Sequence, residues 1–325
     1  MQQKLNWALL STAKINRALI GPLAASNHSR LLAVASRSQS SADVYAREWN
    51  IPRAHGSYEA LLNDPEIDVI YNSLPNNLHA EWTIQALRAG KHVLCEKPIA
   101  LTVAELDAMA AAAKESGRVL TEAFMYRHHL QTLKAKEMVE SGLLGQLQLI
   151  RGSFTFTLNR DTHRSDPRRG GGSIWDVGCY PISYARMIVG AEPLEVFGWQ
   201  AKGPTGIDET FVGQMRFAND VHAQFDSSFK APLRTSIEIV GTDASLQIPI
   251  PFKPGSDENI FLKRGDDVET ISIKGQEVYL GEVGDMTDAI LLGKPPRVSL
   301  ADSRGNISTI TALIESSKMG KPILL

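Results

Sequence analysis

The sequence predicts an α/β protein in two parts: a doubly wound parallel sheet, then an α+β domain built on a large, mostly antiparallel open sheet. Two observations predict it. Over residues 1–122 short apolar runs alternate with helical patterns, and over residues 123–325 strand-like segments follow one another with little helix between them. The length agrees, because 325 residues exceed the roughly 250–300 at which a single hydrophobic core stops growing.

In the first part, Trp7 to Leu10, Leu31 to Ala35, Val69 to Tyr71, Val93 to Cys95 and Val119 to Leu120 have the length and flanks of buried parallel strands. Ala80, Ile84 and Leu87 recur at helical spacing before Ala89-Gly90, and Thr102 with Glu105 makes a capping box ahead of Leu106, Met109 and Ala110. Strands alternating with helices of this length imply right-handed βαβ units, with ligands beyond the carboxyl ends of the strands.

In the second part, a helix over Leu133 to Val139 stops at Ser141-Gly142, and Gln146 to Thr157 is strand-like with Phe154 and Phe156 on one face. A basic, glycine-rich loop from Asn159 to Gly172 leads to a helix from about Gly178 to Val189. Strands are then expected at Val196 to Trp199, Thr210 to Phe217, His222 to Phe229, Ser236 to Val240, Leu246 to Ile248, Ile260 to Lys263 and Thr270 to Ile273, separated by turns such as Gly241-Thr242-Asp243. Helices near Val278 to Leu292 and Leu300 to Ser317 close the chain.

A formal charge of −2 with 22% charged residues argues against a nucleic-acid or membrane surface and for small molecules or further copies of the chain as partners. No apolar run reaches the roughly 18 residues of a membrane span, and the opening Met1-Gln2-Gln3-Lys4 does not read as a signal peptide. A cytoplasmic protein is expected. Cys95 and Cys179 are the only cysteines. They have no zinc spacing, no metal is expected, and both read as small buried thiols.

The first βα turn is the place for a phosphate cradle. It reads Ser11-Thr12-Ala13-Lys14-Ile15-Asn16, without the glycines of the usual dinucleotide fingerprint. Small Ser11 and Ala13 still permit a pyrophosphate to approach backbone N–H groups at a helix N-terminus, and the hydroxyls can add donors. After the second strand, where an NAD enzyme places an acid for the ribose hydroxyls, this chain has Ser36-Arg37-Ser38. Arginine pairs with a 2′-phosphate through charge-assisted hydrogen bonds, so NADP is expected in preference to NAD. Leu74, Pro75, Asn76 and His79 follow the third of these apolar runs and line the same cleft, with a nicotinamide or ribose contact expected there.

Glu96-Lys97-Pro98 ends the fourth run, and about eighty residues later a glycine run leads into Asp176-Val177-Gly178-Cys179-Tyr180. To oxidise an alcohol, the hydroxyl proton must leave as hydride goes to a nicotinamide. Tyr180 can serve as that acid/base if a cation lowers its pKa from about 10, and Lys97 supplies the cation. Lys97 can equally hydrogen-bond the substrate oxygen and stabilise charge there. Either residue can carry the proton. Asp176 binds a neighbouring hydroxyl, orients the tyrosine, or caps the helix. Arg127, His128 and His129 stand at the expected rim, the histidines without ligand spacing. Arg160, Arg164, Arg168 and Arg169 belong to a loop that either covers substrate or is solvated, diluted by Asp161 and Asp166.

The turn from Leu9 to Ile15, Pro75-Asn76-Asn77-Leu78-His79, Glu96-Lys97-Pro98 and the segment from Gly170 to Pro181 together resemble the glucose-fructose oxidoreductase/inositol dehydrogenase/MocA family. The likeness spans nearly the whole chain, including Gly241-Thr242-Asp243-Ala244, and is nearest to the branch of trans-dihydrodiol dehydrogenases, NADP-dependent aldose dehydrogenases and ketosugar reductases. It implies a Rossmann domain at 1–122, a substrate and oligomerisation domain at 123–325, and a homodimer or homotetramer. It also implies catalytic roles for Lys97 and Tyr180 and a substrate contact for Asp176, with Arg127 beside them. The expected cofactor contacts are Ser11, Thr12, Ala13, Lys14, Ile15, Ser36, Arg37, Ser38, Leu74, Pro75, Asn76, His79, Glu96 and Lys97. The missing glycine fingerprint departs from the family habit. The expected reaction moves a hydride between NADP(H) and a sugar, polyol or cyclic trans-diol; a non-catalytic NADP(H) sensor of the same fold is the alternative, and a cofactor that stays bound through each cycle is a third.

Overall fold

The computed structural model describes residues 4–159 and 162–325. They form two compact units, one running to Met125 and taking in Tyr279–Ser303, the other made of Tyr126–Val278 and Arg304–Leu325.

The first unit holds a six-stranded parallel sheet of β1 (Leu5–Leu9), β2 (Ser29–Ala35), β3 (Arg53–His55), β4 (Val69–Asn72), β5 (His92–Glu96) and β6 (Leu120–Ala123). Its order is β3-β2-β1-β4-β5-β6. Trp7, Ala8, Leu9 and Leu10 are all fully buried, as a strand covered on both faces must be. Each large apolar side chain so placed contributes roughly 1.5–3 kcal/mol. The helices are α1 (Arg17–Ala25), α2 (Gln39–Trp49), α3 (Tyr58–Leu62), α4 (His79–Arg88) and α5 (Val103–Ser116). Thr102 and Glu105 form both bonds of the expected capping box, and Gly117 ends α5 at φ 64°. Strand order reverses between β1 and β4, which makes the crevice beyond their carboxyl ends the switch point of the sheet.

Two features of this unit differ from the expectation. The edge strand β3 is three residues long and half-buried, too short and too polar to show as an apolar run. The second is that the expected boundary at 122/123 does not carry everything after it into the second unit. Helix α8 (Leu280–Leu292), which follows α6 (Leu130–Glu140) and α7 (Cys179–Val189) in the chain, belongs to the first unit and packs on α1. Buried Thr287 and Ser29 share a hydroxyl–hydroxyl hydrogen bond of 3.0 Å, and Thr121 donates to the carbonyl of Val298 at 2.8 Å. These partners are far apart in sequence, so no local pattern announces them.

The second unit is built on a nine-stranded sheet: β7 (Leu147–Thr155), β8 (Glu195–Lys202), β9 (Asp208–Arg216), β10 (His222–Ser228), β11 (Arg234–Gly241), β12 (Ser245–Ile248), β13 (Asp257–Arg264), β14 (Asp267–Lys274) and β15 (Ile323–Leu324). The order is β14-β13-β12-β11-β7-β10-β9-β8-β15. Only β7 and β10 pair in parallel; the other pairs are antiparallel. Helix α7 lies on β7, where Gly152 is required: a Cβ there would stand 2.6 Å from the Cβ of Pro181. α9 (Leu300–Met319) ends the helical part of the chain.

Candidate functional site

At the switch point the first βα turn is closed by Ser11. Its buried hydroxyl accepts the Ala13 N–H at 3.1 Å and shares a 2.8 Å hydrogen bond with the Ser73 hydroxyl at the end of β4. The Ser11 carbonyl accepts from the Asn16 side chain at 2.7 Å. The turn thus reaches the compact form that glycines usually permit by hydrogen-bonding instead. The Ser11 hydroxyl is engaged within the turn and with Ser73. Thr12, Ala13 and Ile15 are half-buried and Lys14 is exposed at this edge.

Ser36 is held by its N–H to the His55 carbonyl at 3.0 Å, and Ser38 caps α2 by accepting the Ser41 N–H. Arg37 stands exposed ahead of that helix N-terminus. Its charge acts on half-buried Tyr58, whose phenol is raised by burial and drawn partly back by Arg37. Tyr58 packs edge-on against Trp82 at 4.9 Å.

The segment after β4 is organised by fully buried Asn72, which donates to the Thr83 hydroxyl and the His79 carbonyl and accepts the Leu74 N–H. Pro75 and Asn76 are half-buried, while Leu74 and His79 are buried. His79 is 1% exposed. Its Nδ1 lies 2.8 Å from the Pro98 carbonyl and its Nε2 2.7 Å from the Leu74 carbonyl. Both ring nitrogens thus face backbone carbonyls. Burial lowers its pKa, against the pull of its two backbone hydrogen bonds.

Lys97 follows β5 and is half-buried, with a cis bond to Pro98. Its N–H donates to Glu96 Oε2 at 3.1 Å, and Glu96 Oε1 accepts the hydroxyl of Tyr71 on the adjacent strand. Burial holds the Tyr71 phenol well above its ordinary value, and nearby carboxylates add to this, so it stays protonated and donates. The Ile99 N–H donates to Oε1 of buried Glu122 on β6 at 3.0 Å, and Leu101 and Thr102 donate to Glu105. Cys95 is fully buried, and burial raises its thiol well above the usual range; Cys179 is buried too.

In the second unit, Ile174–Gly178 forms a π-helical turn that runs directly into α7. Such turns are rare and concentrate at functional sites. Asp176 lies within it and accepts a hydrogen bond from Arg164 Nε at 2.7 Å. Tyr180 is 4% exposed. Its ring is surrounded by Phe154, Phe252 and Tyr126 at centroid distances of 5.3, 5.4 and 5.8 Å, so its direction is fixed by packing. Arg127 is buried, and its guanidinium donates to Ser183 on α7 at 3.1 Å, beside the Tyr126 hydroxyl at 2.9 Å from the same atom. His129 caps α6 and its Nε2 lies 3.1 Å from the Gly255 carbonyl. Arg168 and Arg169 pair with Asp166; Arg160 and Asp161 lie outside the described residues, as do Met1 to Gln3. Among the described residues no cluster of histidine, cysteine and carboxylate side chains is arranged for a metal, and no helix is long and apolar enough to cross a membrane.

Sequence reasoning missed Asn72, Glu122 and Asp208. Asp208, at the start of β9, accepts the Ser173 hydroxyl at 2.7 Å and the Ile174 N–H at 2.8 Å. Gly172, at φ 131°, lets this happen, since a Cβ there would fall 2.2 Å from Asp208 Oδ1. Burial pushes the Asp208 carboxyl up to about 6, against the pull of those hydrogen bonds. The only sequence signal was the glycine run itself.

The sequence profile of an oxidoreductase family with an NAD-binding Rossmann fold matches residues 5–124, and that of the GFO/IDH/MocA C-terminal domain matches residues 132–247. A D-xylose 1-dehydrogenase (NADP(+)) of Haloferax volcanii is 34% identical over 323 residues, 98% of this chain and 99% of that one. The trans-1,2-dihydrobenzene-1,2-diol dehydrogenase of Mus musculus is 32% identical over 254 residues, 77% of this chain and 76% of its own. Among solved structures, KijD10, a 3-ketoreductase from Actinomadura kijaniata in complex with NADP and TDP-benzene, superimposes with a TM-score of 0.91 at 27% identity over 97% of this chain and 98% of that one.

Proposed function

This chain belongs to the GFO/IDH/MocA oxidoreductase family, with an NAD(P)-binding Rossmann domain, and from that premise we propose that it is an NADP(H)-dependent dehydrogenase or reductase of a sugar, polyol or cyclic trans-diol. The observation that carries the reading is Lys97, held at the carboxyl edge of the parallel sheet by hydrogen bonds at its own N–H, at the Pro98 carbonyl and at the Ile99 N–H. A lysine so anchored presents its ammonium from a rigid base, which is what transition-state charge stabilisation requires.

The bound nicotinamide would supply the hydride acceptor or donor. The pyrophosphate would be held at the turn from Ser11 to Ile15, the 2′-phosphate by Arg37 with Ser36 and Ser38, and the nicotinamide end by Leu74, Pro75, Asn76, Glu96 and Lys97. In the oxidative direction Lys97 and Tyr180 are the two groups that would take the proton of the substrate hydroxyl. This proton would pass either to Tyr180 as the phenolate, with the ammonium of Lys97 stabilising the substrate oxygen, or to Lys97 in its neutral amine form, while the hydride of the C–H bond would leave for the nicotinamide. Asp176 receives a neighbouring hydroxyl, with Arg127 behind the tyrosine. The first unit takes the nucleotide and the second the substrate. Support comes from the xylose and dihydrodiol dehydrogenases among the relatives and the NADP complex of the ketoreductase. Variants of that ketoreductase with one lysine or one tyrosine replaced have also been solved. A cytoplasmic homodimer or homotetramer, paired through the open sheet where Trp199 and Val212 stand opposed and exposed, belongs to the same reading.

The test is nicotinamide absorbance with NADP and with NAD across aldoses, inositols and trans-dihydrodiols, run beside Lys97→Met. Turnover that disappears in the variant while NADPH still binds is expected. Wild-type rates in Lys97→Met would overturn the mechanism, and NADPH binding with silence across the panel would favour a sensor.

A further inference from the structure

Buried polar groups on two different elements converge on the loop that carries Lys97, and neither touches a surface a substrate can reach. From α4, the ring of His79 spans 2.8 Å to the Pro98 carbonyl and 2.7 Å to the Leu74 carbonyl. From β6, the carboxylate of Glu122 accepts the Ile99 N–H at 3.0 Å. These residues are 1% and 2% exposed. A loop needs its own backbone groups satisfied, but not by an imidazole and a carboxylate buried at such cost; Asn or Gln amides would do as well. The shared target is also specific: Pro98 and Ile99 are the two residues directly after Lys97.

We propose that His79 and Glu122 are positioning residues for Lys97, and that His79 also ties the lysine loop to the Leu74–Asn76 segment, so that the nicotinamide-facing backbone and the ammonium keep one fixed spacing. The proposal rests on the reading of Lys97 as catalytic. The imidazole alone spans both carbonyls, with one ring nitrogen at each.

An amide can replace one ring nitrogen but not both. Asparagine at 79 places its NH2 near the Nδ1 position, toward Pro98, whereas glutamine places it near Nε2, toward Leu74. The experiment compares His79→Asn with His79→Gln, and Glu122→Gln with Glu122→Leu. It measures kcat, KM and NADPH binding by fluorescence titration, on proteins first shown to be folded by circular dichroism. Displacement of a reacting group by about 1 Å costs on the order of 100-fold. The expected pattern is a kcat loss approaching that in His79→Gln and Glu122→Leu, with substantial recovery in His79→Asn and Glu122→Gln and substrate KM little changed throughout. NADPH affinity should fall more in His79→Asn, which releases Leu74. Equal kcat in the two His79 variants overturns the proposal, and if Glu122→Leu does not fold the His79 pair alone decides it. Lys97→Met is the control. Its inactivity beside unaffected His79 and Glu122 variants defeats the positioning role alone, whereas its full activity defeats the parent reading and this one with it.

Discussion

Arg164 donates from Nε to the carboxylate of Asp176 at 2.7 Å, with side chains 39% and 16% exposed. The pair links the basic loop to the π-helical turn that leads to Tyr180. Its backbone is tied separately, because the Gly172 N–H donates to the Arg164 carbonyl at 3.0 Å. The loop therefore keeps its course without the guanidinium, while the carboxylate loses this hydrogen bond.

Arg164→Ala should raise the KM for sugar or diol about tenfold while leaving thermal stability nearly unchanged, since a partly exposed ion pair contributes roughly 0–1 kcal/mol. Arg164→Lys should recover only part of the affinity, because an ammonium lacks the planar donor set. Steady-state kinetics beside a melting curve checks both. A loss of several degrees in melting temperature with KM unmoved would assign the pair to the fold instead.

Asp208 makes stability depend on pH in a stated direction. Its folded pKa is raised from 3.8 to about 6 by burial. Below the unfolded value both states are protonated and this group costs nothing. As pH rises from about 4 to about 6 the unfolded chain releases the proton first, so stability from this group declines and then levels off. The full difference is roughly 3 kcal/mol. Urea midpoints of the wild type minus those of Asp208→Asn, taken from pH 4 to pH 7, should fall over that window and stay flat above it. Parallel curves for the two proteins contradict the assignment.

Arg37→Ala should weaken NADP binding by about ten- to a hundredfold, the range for a charge-assisted hydrogen bond of roughly 1.5–3 kcal/mol, with NAD binding little altered. Fluorescence titration of NADPH and NADH measures it directly. An equal loss for both cofactors, or none, means that Arg37 does not read the 2′-phosphate.

Much of the fold was legible in the sequence because it is local. The runs at Trp7, Leu31, Val69, Val93 and Val119 lie in or directly abut observed strands, and the box of Thr102 and Glu105 starts α5 as read. The candidate site was legible where its residue types sit in a contiguous motif, as in Glu96-Lys97-Pro98 and in the stretch from Asp176 to Tyr180, whose roles are the proposal. Short β3 was not, since three residues carry no periodicity.

The sequence by itself determined the two-part architecture, the absence of the glycine fingerprint, and the lysine, aspartate and tyrosine available for chemistry. Where the buried polar groups find their partners is a property of the completed fold. Ser11 finds Ser73, Glu122 finds the Ile99 N–H, Asp208 finds Ser173, and α8 returns to the first unit through Ser29 and Thr287. Those pairings join residues 23 to 258 positions apart. Apolar periodicity records which face of an element is buried, whereas a buried donor or acceptor must be satisfied by whatever the completed fold brings within about 3 Å of it, and that partner is written nowhere near it in the chain.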